Sequence, residues 1–405
     1  MELGKSNEMR GAGECCVITK PDLQANGSEW RATEAFTSAR RSMKGIDRDS
    51  LLAALGGLAL DPANAVQQLR LEALAHVAAT IPSSSGGSKA TAVQARRFAS
   101  RAGADPLPAA PDPPEQPFAL PFVFGSTASV IPLGLILGVD HDAYRMLEVV
   151  SELAIESREI GRLQRHIEGV LRLVGRATRD AGLTGVVTPG LERDRAHIPS
   201  ATRLETQIRA VQLNAGELRT ELGADWAVEL SQLVAHETTE TVMWDGQNGS
   251  LSYRPFARSR DGGLIIAVPG MVLPAILRYA TSELARIGPR GLADRYADCV
   301  WRDIRRSLGL MRIERAPEGP DPEGLVGHAL FRVDEEQLLA VLLVATDPFS
   351  REGTGPDPYE ALEAAHRDLL GRGLGHVVLV LFCAPSDDVG SFFGLEAPPP
   401  ASLTS

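Results

Sequence analysis

Apolar residues recur at alternating steps of three and four positions between residues 146 and 174. This spacing keeps apolar side chains on one face of an α-helix. The run predicts a single helix of about eight turns. Glu156 is the only charged residue in the series. Its apolar positions are Met146, Val149, Leu153, Ile160, Leu163, Ile167, Val170 and Val174.

A second series with the same spacing runs from residue 204 to 222, and Thr202 and Glu205 stand before it at capping-box spacing. The connector 182–200 contains glycine and proline. Two helices joined in this way are expected to pack as an antiparallel hairpin. A coiled coil with a partner protein or a second copy is the alternative. The positions are Leu204, Ile208, Val211, Ala215, Leu218 and Leu222.

Residues 116–139 carry no charge. This uncharged segment is long enough for a membrane-spanning helix. Pro121 and Pro132 interrupt this run, however, and small polar residues occupy its centre. Two buried strands, 118–124 and 130–137, joined by a polar turn explain the pattern better. We therefore favour a strand pair over a membrane span.

The first 117 residues divide into two parts. Residues 1–45 have no sustained periodicity and are expected to be poorly ordered. Residues 46–117 are expected to form a helical region followed by a linker, since Asp61-Pro62 is a good helix start and six prolines fall between 105 and 117. The next unit, 118–238, contains the strand pair and the helical hairpin.

The pattern after residue 239 indicates a third unit, 239–396, in which strands alternate with helices. Residues 397–405 are expected to be a disordered tail. The chain as a whole is predicted to be α+β (mixed α/β), with helical N-terminal and central regions and a small mixed sheet in the C-terminal domain. The predicted strands are 264–268, 310–314, 327–333, 338–345 and 376–383, and the predicted helices are 271–287, 292–308 and 359–372.

Charge is unevenly distributed along this acidic chain, whose net charge is −11. Residues 1–101 carry 13 lysines and arginines against 10 acidic residues, and the remainder carries 28 against 42. An acidic body repels phosphate backbones, so we expect no nonspecific nucleic-acid binding. Lys89 is the last lysine, which excludes Schiff-base and P-loop lysine chemistry downstream of it.

The four cysteines form no CxxC pair, and Cys299 and Cys383 lie in apolar surroundings. They predict neither a disulfide framework nor a zinc site. Residues 1–20 lack the apolar core of a signal peptide, so a cytoplasmic location is expected. The frequent alanine, glycine, proline and arginine are typical of a GC-rich, bacterial-type genome.

One candidate metal site lies at His236, Glu237 and Glu240, near the zincin pattern but without its second histidine. A second candidate lies further along the chain, where carboxylates fall on a predicted helix, hairpin tip and strand end. These carboxylates are Asp298, Asp303, Asp334, Glu335 and Asp347.

The order helix, β-hairpin, helix and strand in this second region resembles the core of PD-(D/E)XK nucleases over about 90 residues. The resemblance implies a divalent metal held by those carboxylates. The chain departs from the family because residues 338–345 carry no charge and no lysine is present nearby. A degenerate or inactive relative would also explain the pattern.

The function predicted from these observations is a non-catalytic protein–protein interaction or regulatory module that contacts another protein, or a second copy, through the 146–222 helices. The alternative is a metal-dependent hydrolase that uses the five carboxylates. No cofactor is predicted, and a divalent metal is expected only under the alternative.

Overall fold

The computed structural model describes residues 38–82, 87–90, 94, 117–134, 139–189, 199–235, 251, 254–292, 295–296, 298–300, 302, 314–315, 327–332, 338–344, 367 and 377–383. Over these residues the chain is a mixed α+β protein in which helices predominate and the sheets are small. This agrees with the predicted fold class. The proposed division into five parts stays a prediction.

The N-terminal part contains helix α1 (Arg48–Ala59), a short 3₁₀-helix (Pro62–Gln67) and helix α2 (Gln68–Ala79). Asp47 caps α1, because its carboxylate accepts a hydrogen bond from the Ser50 amide at 2.9 Å. Asp61 caps the 3₁₀-helix in the same way. The helix start predicted at residues 61–62 is confirmed.

Helix α1 is buried on all sides from Leu51 onward. It packs against α2 and strand β5 (Leu264–Ile266). Gly56 allows this close approach, because a Cβ there would collide with the Ile266 carbonyl oxygen. A separate bridge from Ile46 to Ser88 holds residues 87–90 beside the start of α1.

The apolar run forms an antiparallel pair, β1 (Ala119–Phe124) and β2 (Thr127–Pro132), joined by a two-residue turn at Gly125. The strand pair is confirmed, but β2 begins three residues before the predicted 130–137. The predicted polar turn included Ser129, but Ser129 lies in β2 and is buried. Across the described ranges, we find no helix whose length and apolar content would let it cross a bilayer.

The first heptad series forms two helices, α3 (Val139–Ala154) and α4 (Arg158–Asp180), which pack on each other. The prediction of one continuous helix is wrong. Ser157 has extended backbone and its hydroxyl caps α4 by accepting from the Ile160 amide. Glu156, the charged exception in the series, lies in the break, while the apolar positions on both sides are buried.

The second series is also interrupted. It forms α5 (Ala201–Ala210), strand β3 (Gln212–Leu213) and α6 (Ala215–Leu222), followed by the short α7 (Trp226–Glu229). Helix α5 packs on α1 and also contacts α4, and α6 packs on α4. Two long helices in a hairpin are therefore not present, although α4 and the short α6 do pair.

The caps of these helices also differ from the sequence prediction. The capping residue of α5 is Ser200 rather than Thr202. A capping box does occur, at Asn214 and Glu217 before α6. It ends the β3 segment, which pairs with β5 and so interrupts the apolar series.

Strand β5 lies between β3 and β4 (Phe256–Arg258) in an antiparallel sheet. Helix α8 (Val272–Ile287) follows and ends at Gly288, whose φ of 64° is left-handed. This strand and this helix confirm the predictions at 264–268 and 271–287. Buried apolar residues from Met43 to Val300 form one cluster.

The C-terminal backbone forms a four-stranded sheet in the order β6 (Glu314–Arg315), β7 (Gly327–Arg332), β8 (Leu338–Val344) and β9 (Val377–Cys383). Strands β6, β7 and β8 are antiparallel, and β8 and β9 are parallel. The small mixed sheet was predicted, with strand ends differing by a few residues. The parallel pair requires a crossover connection. The helix predicted at 359–372 lies outside the described residues, apart from Arg367.

Candidate functional site

Most of the predicted site residues lie outside the described part of the chain. Of the five carboxylates, Asp298 alone is described, and it is exposed. The residues that lie outside are Asp303, Asp334, Glu335, Asp347, His236, Glu237 and Glu240. Both metal hypotheses therefore stay predictions.

A different group of possible ligands does meet in the structure. Glu148 and Glu152 of α3 lie near Cys299, with ligand atoms within 4.8 Å of one another. Arg302 already places a cation there, since its guanidinium lies 3.2 Å from Glu148 and 2.6 Å from Glu152. The same group lies 2.9 Å from the Cys299 sulfur. We interpret this cluster as a structural clamp between α3 and residues 298–302.

The chemistry of Cys299 agrees with a structural role. Burial, with a further contribution from Glu148, raises the pKa of its thiol to about 11. The thiol is therefore protonated near neutral pH, whereas nucleophilic or metal-binding cysteines are thiolates. The sequence interpretation of Cys299 as a small core residue agrees with its complete burial.

Helix α2 carries a second unusual pair of ionisable groups, Glu72 and His76, which are both buried. Burial raises the pKa of Glu72 to about 8 and lowers that of His76 to about 4, so both are uncharged at neutral pH. Among the described residues, Oε1 of Glu72 has no hydrogen-bond partner. Glu72 and His76 are therefore a pair of buried titratable side chains and do not form an open binding site.

The charged surface of α4 forms the main candidate site. This helix carries six arginines and three acidic residues in an acidic chain. With 3.6 residues per turn, the arginines fall within an arc of roughly 100°. We call this face the arginine stripe. Its members are Arg158, Arg162, Arg165, Arg172, Arg176 and Arg179.

Helix α6 covers Arg172 and Arg176, in the C-terminal half of the arginine stripe. Arg172 pairs with Glu221 at 2.7 Å and Arg176 pairs with Glu217 at 3.1 Å. Residue numbers rise in α6 as they fall in α4, so the two helices are antiparallel. Gly169 permits the contact, because a Cβ there would collide with the Leu222 side chain.

An open cleft of about 460 Å³ lies beside the covered segment. We call it the α4 cleft. Its cationic lining comes from Arg162, Arg165 and Arg172, together with His166. The other lining residues are Glu168, Glu221 and Leu222.

The two carboxylates of the α4 cleft are already paired. Glu168 accepts hydrogen bonds from Ser126 at 2.8 Å and Gln164 at 3.0 Å, and Arg172 lies 3.7 Å from it. Glu221 binds Arg172. The exposed rim of the cleft belongs to Arg162 and Arg165.

The geometry of the α4 cleft allows binding of anions. Guanidinium groups donate paired hydrogen bonds that match a carboxylate or phosphate. The arginine stripe was not predicted from the sequence, because the periodicity of apolar residues identifies the buried face of a helix and not its charged face. The signal was present, since Arg158, Arg165, Arg172 and Arg179 are each seven residues apart.

No protein-family model, curated protein or solved structure matches this chain.

Proposed function

We propose that this protein is a non-catalytic interaction module that holds an acidic segment of a partner protein on the arginine stripe of α4. The observation that carries the proposal is the exposure of Arg158, Arg162 and Arg165 beside the α4 cleft. These residues lie within the 146–222 region that the sequence analysis assigned to partner binding.

The charge of the whole chain supports this choice of partner. The net charge is −11, whereas α4 carries six arginines against three acidic residues. An acidic segment is repelled by most of the surface and attracted by this helix. Such contrast guides association and orientation more than it adds affinity.

The strength of the individual contacts indicates why the cleft matters. An exposed ion pair contributes about 0.2–1 kcal/mol, so three isolated arginines would bind weakly. A concave site beside them adds buried contact area and excludes water from part of the interface. Arg172 is already fixed by Glu221 and forms a preorganised floor.

The test uses the full chain and a fluorescent glutamate-rich peptide of about 16 residues, a length that favours helix formation. We expect binding by fluorescence anisotropy at about 50 mM salt and strong weakening at about 500 mM, because added salt screens exposed charges. The double variant Arg162→Glu with Arg165→Glu should lose at least roughly tenfold in affinity.

The matched control is Arg209→Glu with Arg258→Glu. Both arginines are exposed and lie outside α4 and outside the lining of the α4 cleft, and the change in net charge is the same. This control should bind the peptide within about twofold of the wild type. Equal losses in the two double variants, or no binding by the wild type, would exclude the proposed function.

A further inference from the structure

Helix α6 shows how an acidic helix lies on the arginine stripe. Its Glu217 and Glu221 are four residues apart, as are their partners Arg176 and Arg172. Residues four apart lie on the same face of a helix, so each pair presents two charges side by side. Two antiparallel helices with this spacing can form both ion pairs at once.

Apolar contacts accompany these ion pairs. Leu218 and Leu222 of α6 are buried, and Leu222 packs over Gly169 of α4. Leu222 also lines the α4 cleft, so the cleft begins where α6 ends. Helix α6 ends at Gly223, whose φ is 91°. The N-terminal half of the stripe continues beyond this point.

The N-terminal half of the stripe, where α6 forms none of these ion pairs, repeats the arrangement beneath α6. Arg158 and Arg162 have the same four-residue spacing as Arg172 and Arg176, and Arg165 lies on the same stripe. All three are exposed. Ile155, just before α4, is 89% exposed and offers an apolar contact at this end. Glu159 is paired with Arg286 at 2.7 Å.

We propose that the partner segment is an acidic amphipathic helix that lies on this N-terminal half, antiparallel to α4 and continuing the line of α6. Two carboxylates four residues apart pair with Arg158 and Arg162, and an apolar residue of the same helix contacts Ile155. This inference rests on the proposed function and specifies the partner.

The test compares three peptides of equal length on the full chain. The first is helical, with leucines and with glutamates four residues apart. The second has the same glutamates and leucines but a central proline, which breaks a helix. In the third, glutamine replaces glutamate. We expect the first peptide to bind at least roughly fivefold more tightly than the others and to gain helical circular dichroism on binding.

The outcomes separate the two proposals. Equal binding of the helical and proline peptides would overturn the helix inference and leave the proposed function standing. Equal binding of the glutamine peptide, or no binding by any peptide, would overturn both. A concentration-dependent dimer of the free protein that is lost in Arg158→Gln with Arg162→Gln would instead assign the surface to a second copy.

Two substitutions test the placement of the helix. Ile155→Ser should weaken binding of the helical peptide severalfold, whereas Val228→Ser, at a residue that is 74% exposed elsewhere, should not. Equal affinities for the two variants would contradict the proposed contact with Ile155. Circular dichroism of both variants checks that the fold is kept.

Discussion

Glu72 and His76 lie one turn apart on α2 and change the pH dependence of folding in opposite directions. Burial raises the pKa of Glu72 from 4.5 to about 8 and lowers that of His76 from 6.5 to about 4. The folded state keeps the Glu72 proton up to about pH 8, whereas the unfolded state binds a proton at His76 below about pH 6.5. The two effects oppose each other between pH 4.5 and 6.5, so the Glu72 effect alone remains above pH 6.5.

We expect the free energy of unfolding to fall by roughly 2 kcal/mol between pH 6.5 and 8, because a single extra proton bound in the folded state gives a slope of about 1.4 kcal/mol per pH unit. Glu72→Gln removes the titrating group and should abolish this fall. Urea unfolding at both pH values measures it. Glu205→Gln, at an exposed position, should keep the wild-type slope. A wild-type slope in Glu72→Gln would contradict this account.

Cys299 should be slow to react in the folded protein. A rise in its pKa from 9.0 to about 11 lowers the thiolate fraction at neutral pH by roughly 100-fold, and burial hinders access further. Mass spectrometry of the peptide containing Cys299 after iodoacetamide treatment measures the rate. Unfolding in urea should restore the rate of a free thiol. A native rate equal to that of glutathione would refute the prediction.

For a single residue such as Glu72, the sequence gives the side chain and the type of element, but not which other residues pack around it. The sequence predicted a helical region here, without showing what surrounds Glu72. Almost every described residue of α2 is buried, however, since α1 packs on it and Glu72 lies beside Gly270. Periodicity identifies the most apolar face of a helix and does not show what covers the other faces.

At the scale of elements, the contact between α4 and α6 depends on glycine. Gly169→Ala should lower the free energy of unfolding by about 1–3 kcal/mol, because the added methyl group collides with Leu222 and with the Glu221 backbone. Thermal and urea unfolding measure this change.

Gly161→Ala in the same helix is the matched control. Its Cβ would meet the nearest atom at 3.4 Å, an ordinary contact. Alanine favours helix by about 1 kcal/mol over glycine, so this variant should be as stable as the wild type or more stable. Equal destabilisation by both substitutions would show that the close approach at Gly169 is not the cause.

The heptad series predicted burial correctly and continuity wrongly. The positions from Met146 to Val174 are buried, but Ser157 starts a new helix between them. A break of three residues keeps the spacing of the apolar series, so the pattern alone cannot reveal it. The capping potential of Ser157, followed by Arg158 and Glu159, was the local signal.

On the scale of the whole molecule, one cluster of buried apolar residues extends from Met43 to Val300. Helix α1 is fully enclosed within it. Leu55→Ala should lower the free energy of unfolding by about 2–5 kcal/mol, because Leu55 is 1% exposed and its loss leaves a cavity. Hydrogen exchange should then accelerate in α4 and α8 as well as in α1.

Val228→Ala provides the comparison for Leu55→Ala. Val228 is 74% exposed, so its truncation should change stability by less than about 0.5 kcal/mol. If Leu55→Ala accelerated exchange in α1 alone, residues 43–300 would not unfold as one unit. The predicted division between the 46–117 and 118–238 units would then gain support.

Fold class and most strands follow from the sequence because they depend on local periodicity and turn residues. The candidate site does not, because it depends on which helices meet. The pairing of α4 with α6 decides which arginines are covered, and it joins residues about 40–50 positions apart. No local pattern contains that information.

The bridge between Ile46 and Ser88 brings the neighbouring Lys44 and Lys89 to one corner of the molecule. The other two lysines precede them in the chain, at residues 5 and 20. Fluorophores and sensor surfaces that couple to lysine amines therefore attach within the first 89 residues. Such labelling leaves all six arginines of α4 chemically unmodified. Because α4 contains no lysine, lysine acetylation cannot neutralise this helix.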